Sequence, residues 1–181
     1  MAKINLITGG FSSGKSRWAA SFFASCDNVL YMCVPEEMDQ DILRRINWNN
    51  EHNYLEWTIK TNFKDLEDPE IMKHKFIIFD SLAIYTLKKM RAMCPDPDTM
   101  TSELKKEIQA KVIAEVSSLI ERVKESDGIM VIITSETGFS VQPDNLSQRY
   151  FCDILGGVNQ RIANIASEVY MSVSGIQYRI K

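Results

Sequence analysis

The stretch Gly9-Gly10-Phe11-Ser12-Ser13-Gly14-Lys15-Ser16 follows the apolar run Lys3–Thr8 (KINLIT) and leads into a helix-compatible segment, Ser16–Ala24. It fits the pattern GxxxxGK[ST] in full. A strand that ends in a glycine-rich turn and reopens as a helix can aim successive backbone N–H groups at one anion. The helix N-terminus adds its positive end at the same point. In such a loop Lys15 reaches the β- and γ-phosphates of a nucleotide, and the Ser16 hydroxyl binds Mg²⁺. The expected nucleotide-binding residues are Gly9 to Ser16, together with Arg17.

Outward from the loop, the chain alternates strand and helix. Val29–Val34 (VLYMCV), Phe76–Phe79 (FIIF) and Ile129–Thr134 (IMVIIT) are continuous apolar runs, as in strands buried on both faces. Leu55–Ile59 is a further short strand. Helices are expected over Asp39–Asn50, Leu82–Met93, Ser102–Lys124 and Phe151–Ser167. The longest carries Leu104, Ile108, Val112, Val116, Leu119 and Val123 at intervals of three and four, so one face is buried. Thr101 or Ser102 can cap it, and Gly128 ends it. Val169–Val173 and Ile176–Ile180 flank Ser174-Gly175, a hairpin signal. The pattern predicts an α/β fold of the P-loop NTPase, RecA-like type. Its sheet is mostly parallel, flanked by helices and closed by a C-terminal antiparallel hairpin. With no break in composition, residues 1–181 read as a single nucleotide-binding kinase domain.

Composition narrows the partners. Hydrophobic residues make up 45% and charged residues 25%, and 21 Lys+Arg against 24 Asp+Glu give a net charge of −3. A mildly acidic chain argues against a nucleic-acid partner, whose footprint is basic. No apolar run reaches the roughly 18 residues of a membrane span, and no signal-peptide pattern opens the chain, so a cytoplasmic protein is expected. Cys26, Cys33, Cys94 and Cys152 form no CxxC pair, and the only histidines are His52 and His74. Neither a zinc site nor a disulfide framework follows from that spacing.

Two carboxylates accompany the loop. Asp80 follows Phe76–Phe79 at the C-terminal end of a strand, where doubly wound folds place their ligands. There it can hold Mg²⁺ with Ser16; its alternative role is the N-cap of the next helix. Glu136, just beyond Ile129–Thr134, is placed to position a nucleophile or to bind nucleotide, with a solvated loop carboxylate as the alternative. The GTPase signature NKxD is absent, and the length suits a small-molecule kinase. The loop touches no base, so ATP and GTP are both open as its substrate.

A more specific signal lies in the second half. Glu136-Thr137-Gly138-Phe139-Ser140-Val141-Gln142-Pro143 is followed by Arg149, Phe151, Asp153, Gly156 and Asn159-Gln160. Ala163, Ala166, Val169, Val173 and Gly175 continue the spacing. With Thr8-Gly9-Gly10, Ser13 to Arg17, Val29-Leu30-Tyr31, Arg45-Ile46 and Trp57, the whole chain resembles one family. That family is the bifunctional adenosylcobinamide kinase / adenosylcobinamide-phosphate guanylyltransferase of cobalamin biosynthesis. The resemblance implies two reactions at one nucleotide site. One transfers a γ-phosphoryl group to the aminopropanol hydroxyl of adenosylcobinamide. The other uses GTP to guanylylate an enzyme histidine and passes GMP to the cobinamide phosphate. The resemblance also implies a homotrimer with active sites near the subunit interfaces.

Departures from the family pattern bear on the second reaction. The guanylylated histidine follows Arg-Ile by three positions, and that place is taken here by Asn49. An Asn amide cannot form a phosphoramidate as an imidazole does. His52, one helical turn further on, is the candidate replacement carrier, against a surface histidine at a helix end. The family's loop arginine is Ser12, and its arginine before Asp153 is Cys152. The expectation is a kinase acting on a corrinoid, with guanylyl transfer in question. The alternatives are another small-molecule P-loop kinase, or a nucleotide-sensing protein without turnover. Trp48, Tyr54 and Trp57 read as core or interface packing, with stacking on a guanine or corrin ring as the alternative, and Lys88, Lys89 and Arg91 as a solvated helix face.

Overall fold

Strands that are apolar on both faces need cover on both sides, and the architecture supplies it with two helical layers. The computed structural model describes residues 2–33, 40–52, 55–61, 66–139 and 143–181, without the side chain of residue 49. The expectations placed on Val34, Pro35, Asp39, Tyr54 and Ser140 to Gln142 lie outside the described residues. The strands are β1 (Lys3–Gly9), β2 (Val29–Cys33), β3 (Trp57–Thr61), β4 (Phe76–Asp80), β5 (Ile129–Ile133), β6 (Glu168–Val173) and β7 (Ile176–Arg179). They form one sheet in the order β3-β2-β4-β5-β1-β6-β7. Every neighbouring pair is parallel except β6–β7, the terminal hairpin.

The helices are α1 (Lys15–Phe22), α2 (Gln40–His52), α3 (Leu82–Met93), α4 (Ser102–Glu125) and α5 (Leu146–Ile165). Alternate residues of each strand point to opposite faces. Leu6, Phe79 and Ile132 therefore pack with Val112, Val116 and Leu119 of α4 and Ile162 of α5. Their neighbours Ile7, Ile78 and Val131 pack with Ala19 of α1 and Ile42 and Ile46 of α2. The register sets the ends of the central strands level: Ile7 pairs with Ile133, and Ile133 with Asp80. The loops that follow β1, β5 and β4 thus open on one edge of the sheet. No described helix is long and apolar enough to cross a membrane.

Several boundaries differ from the expectation for local reasons. Helix α5 starts at Leu146, five residues before Phe151, because the Asn145 side chain caps it by accepting from the Gln148 N–H. Strand β3 runs two residues later than Leu55–Ile59. Its register is set by pairing with β2, and the Asn50 side chain bonds the Trp57 backbone N–H and C=O, each at 3.0 Å. Of the two candidate caps for α4, Thr101 serves, accepting from Leu104 N–H. At its other end the left-handed position is Asp127 (φ 53°), and Gly128 closes the turn by donating to Val123. Short 3-10 turns at Pro69–Lys73 and Pro97–Thr99 were not expected; Asp68 and Asp96 cap them. Lys89 is not simply solvated: it pairs with Glu115 of α4 at 2.7 Å. Cys33 and Cys94 are buried, Cys26 and Cys152 half-buried, and all four are free thiols.

Candidate active site

The phosphate loop owes its shape to positive backbone dihedrals and to the last hairpin. Gly9 (φ 152°) and Gly14 (φ 94°) take conformations that side chains disfavour, and Ser12 (φ 56°) takes a left-handed one without being glycine. A Cβ at Gly9 would lie 2.4 Å from the Ser172 carbonyl oxygen, so β6 runs directly against the loop. The Ser13 carbonyl accepts from Ser172 Oγ at 2.7 Å and from Gly175 N–H at 3.0 Å. Gln177 Nε2 in turn donates to Ser172 Oγ at 3.3 Å. From sequence, Ser174-Gly175 reads as a hairpin turn and Gly175 as part of the family-like spacing. The signal for its clamping role was the presence of Gly175 in the family-like block.

Lys15 is almost buried and donates from Nζ to the Gly10 carbonyl at 2.6 Å. Burial lowers its pKa below that of an ordinary lysine, and the nearby Asp80 carboxylate opposes the shift. Asp80 accepts from the Tyr31 hydroxyl at 2.5 Å, and the same hydroxyl hydrogen-bonds the Ser16 side chain. Tyr31 therefore links Ser16 and Asp80. It is 1% exposed, and burial, then the Asp80 charge, raises its pKa well above that of an ordinary phenol. Cys33 pairs with Asp80 across the strands, and burial followed by that charge pushes its thiol up to about 11. Both groups stay protonated at neutral pH. Asp80 is not the cap of α3: Ser81 is, accepting from Ile84 N–H.

The hydroxyl of Ser16 and the carboxylate of Asp80 are hard oxygen donors, the kind that hold Mg²⁺. Among the described residues no three His, Cys, Asp or Glu side chains converge on a metal-sized site. A magnesium ion held here would complete its shell with phosphate oxygens and water, its usual arrangement beside nucleotides. Sequence reading placed no role on Tyr31, the residue that brings these two donors together. Its signal was its place on β2, two residues before the end level with Asp80.

Glu136 stands at the same edge. Its backbone N–H donates to the Gly9 carbonyl at 3.2 Å, and its carboxylate accepts from Gly138 N–H at 2.9 Å. A cavity of about 450 Å³ opens beside it between α5 and the sheet. Glu136, Thr137 and Gly138 form one wall, Asp153, Gly156 and Gln160 of α5 another, and Thr8 and Val169 lie on the strands below. Part of the family-like set of the second half, from Glu136 to Gly138 and from Asp153 along α5 to Ala163, thus lines one space. Asn159 holds the wall in place, accepting from Thr134 Oγ1 at 2.7 Å and donating to the Ser135 carbonyl at 3.0 Å.

A second cavity, about 540 Å³, lies between α1 and α2, where Arg44, Arg45 and Trp48 line it with Ala20 and Trp57. Trp57 is core, donating from Nε1 to the Cys26 carbonyl, whereas Trp48 is 55% exposed and stacks on His52. The structure does not bring His52 to the phosphate loop. Asn50 ties the last turn of α2 to Trp57, which opens β3 and pairs with Val29 at the start of β2. Asp80 and the loop lie at the other end of these five-residue strands, about 13 Å away along the sheet. His52 Nδ1 lies 3.0 Å from the Trp48 carbonyl oxygen. Arg17, Phe11 and Ser12 are exposed around the loop, Phe11 at 97%.

Comparison with known proteins gives one answer along almost the whole chain. The family model described as cobinamide kinase / cobinamide phosphate guanyltransferase matches residues 5–180. The bifunctional adenosylcobalamin biosynthesis protein CobU of Escherichia coli (strain K12) is 28% identical over 179 residues, covering 97% of this chain and 98% of that protein. The protein of the same name from Salmonella typhimurium is 27% identical over 179 residues, with the same coverage. The bifunctional adenosylcobalamin biosynthesis protein CobP of Pseudomonas aeruginosa is 25% identical over 187 residues, covering 98% of this chain and 96% of that protein.

The lowered pKa of Lys15 has a measurable sign. The folded chain binds this proton less tightly than the unfolded chain, whose lysine titrates near 10.5. Below the folded pKa the buried charge costs stability, and that cost fades as pH rises from the folded pKa to 10.5. Lys15→Met, which keeps the bulk and removes the charge, is expected to melt at higher temperature than wild type at pH 7 without nucleotide. The gain should shrink in alkaline buffer. Thermal unfolding of both proteins across that range checks it, and a less stable Met variant at pH 7 refutes it.

Proposed function

The chain belongs to the cobinamide kinase / cobinamide phosphate guanyltransferase family, and on that premise we propose that its working reaction is the kinase step. In this reading the γ-phosphoryl group of ATP or GTP passes to the aminopropanol hydroxyl of adenosylcobinamide. The observation that carries it is the convergence of Lys15, Ser16, Asp80 and Glu136 on one sheet edge, beside a cavity built from the family-like block.

The N–H groups of Gly9 to Ser16 cradle the phosphates. Lys15 exchanges the Gly10 carbonyl for β- and γ-phosphate oxygens and stabilises the charge that builds on them. Ser16 and Asp80 hold Mg²⁺, which supplies charge neutralisation on the phosphates. Tyr31 fixes the Asp80 carboxylate in the orientation this needs. Glu136 takes the proton of the attacking hydroxyl as its oxygen bonds to the γ-phosphorus. The bond from that phosphorus to the bridging oxygen breaks, and the nucleoside diphosphate leaves.

For the second family reaction we propose that no histidine carries GMP. Position 49 is an asparagine, and His52 stands at the far end of α2 from the loop. We read the protein as a cytoplasmic homotrimer, as its family resemblance implies. The exposed Ile176 and Tyr178 of edge strand β7 are in keeping with a covered surface.

Wild type is expected to phosphorylate cobinamide with ATP or GTP, and Lys15→Ala to lower kcat/KM by at least about 10²-fold. Tight nucleotide binding with no phosphorylated corrinoid would overturn the kinase reading in favour of a nucleotide sensor. Tyr31→Phe should raise the Mg²⁺ concentration for half-maximal turnover about tenfold, since a hydrogen bond to a charged group is lost; an unchanged requirement removes Tyr31 from the metal site. Incubation with α-labelled GTP should leave no acid-labile label on the protein. Label that appears on wild type and vanishes in His52→Ala would restore histidine-carried transfer.

A further inference from the structure

The cavity beside Glu136 differs in charge from the loop it adjoins. Two carboxylates, Glu136 and Asp153, stand in its lining, and among the described residues no lysine or arginine does. Lys105, which pairs with Asp153 at 3.0 Å, is not part of the lining. Such a wall offers a polyanionic nucleotide no cation to hold it, whereas a neutral or cationic ligand that hydrogen-bonds needs none. Of the two substrates in the kinase reaction, only the acceptor fits that description. A cobinamide is a cationic cobalt corrinoid fringed with carboxamide arms, each offering a donor and an acceptor.

The helix that walls the cavity carries adjacent glycines, Gly156 and Gly157, in its interior. Glycine is the poorest helix former after proline, so each position needs a reason. At Gly157 a Cβ would run into the amide end of the Gln109 side chain on α4, so a larger residue there makes that flexible end move aside. Gly156 has no such neighbour: among the described residues an added Cβ would meet nothing within 4 Å. The space it leaves is the cavity itself. Thr8 gives a second sign. It is 8% exposed and lines the same space, and its buried hydroxyl has no hydrogen-bond partner among the described residues.

We propose that this cavity is the acceptor subsite, which receives a carboxamide-bearing edge of the corrinoid against Gly156, and that glycine at 156 determines the fit. The proposal rests on the kinase reading above. At about 450 Å³ the space suits a small ligand or one edge of a large one, so the arms enter and the rest of the macrocycle stays outside. Gln160 and Asp153 offer hydrogen-bonding groups to those arms, while Asn159 is already engaged with Thr134 and Ser135. Glu136, bonded through its backbone to Gly9, stands between the subsite and the phosphate loop.

Gly156→Ala and Gly156→Val, made in the full chain, test this by filling the space in two steps. Cobinamide binding is followed by equilibrium dialysis with corrin absorbance, beside the kinase assay, nucleotide binding and thermal unfolding. The Val variant should raise the Kd and KM for cobinamide about tenfold or more, and the Ala variant about threefold. Nucleotide Kd should stay within about twofold of wild type, and the Ala variant should melt no lower, alanine being the better helix former. A folded Val variant that binds cobinamide as wild type does overturns the subsite. Should Val prevent folding, the Ala variant decides by the same comparison. Wild type that binds cobinamide through Gly156 without phosphorylating it keeps the subsite and removes the kinase reading. Turnover whose cobinamide KM ignores both substitutions does the reverse, and a chain that neither binds nor turns over cobinamide removes both.

Discussion

Two hydrogen bonds to a single carbonyl, that of Ser13, hold the phosphate loop to the end of the chain. Ser172 Oγ and Gly175 N–H both donate to it, and the Ser172 carbonyl presses on Gly9 so closely that only glycine fits. A glycine-rich loop is intrinsically loose, and its anion cradle exists only while the N–H groups are kept pointing inward. Here the rigid partner is the antiparallel hairpin β6–β7, added to an otherwise parallel sheet. Glu136 braces the other side through the Gly9 carbonyl. The residues after β5 and those of the final hairpin therefore belong to the same device as the loop, although they are far from it along the chain.

That device concentrates charge in a protein that is acidic as a whole. Lys15 is kept nearly buried, at a cost in solvation that Asp80 and the Gly10 carbonyl partly offset. Asp80 in turn depends on Tyr31, which reaches it and Ser16 from the neighbouring strand. Tyr31 and Cys33, both pushed upward in pKa by burial and then by the Asp80 charge, stand neutral beside that carboxylate. The acidic cavity next to α5 and the arginine-lined groove between α1 and α2 lie on opposite faces of the sheet. A fold with parallel strands and two helical layers makes that separation available, since its open edge serves both faces at once.

Much of this was legible in the residues themselves. GxxxxGK[ST] is contiguous, and the apolar runs and the three-four spacing of α4 are local patterns whose physics lies in the strand pleat and the helical turn. They identified the alternating α/β fold, the loop, and the strand end that presents Asp80. The misplaced boundaries have local causes that periodicity does not carry. The Asn145 cap extends α5 backwards without any apolar repeat, and the register of β3 depends on a partner strand and on the Asn50 clamp.

What the linear order could not carry is any relation between residues distant along the chain. Tyr31 meets Asp80 across 49 positions, Asn159 meets Thr134 across 25, and Ser172 meets Ser13 across 159. Each is a hydrogen bond whose existence depends on strand order and register, and those are decided only when both faces of the sheet are buried together. His52 shows the same limit from the other side. A spacing of three puts it on nearly the same helix face as Asn49, but the direction of α2 across the sheet places its last turn away from the phosphates. Residue chemistry pointed to the groups proposed to bind phosphate and magnesium. Strand order and the packing of helices on the sheet decided which of them meet.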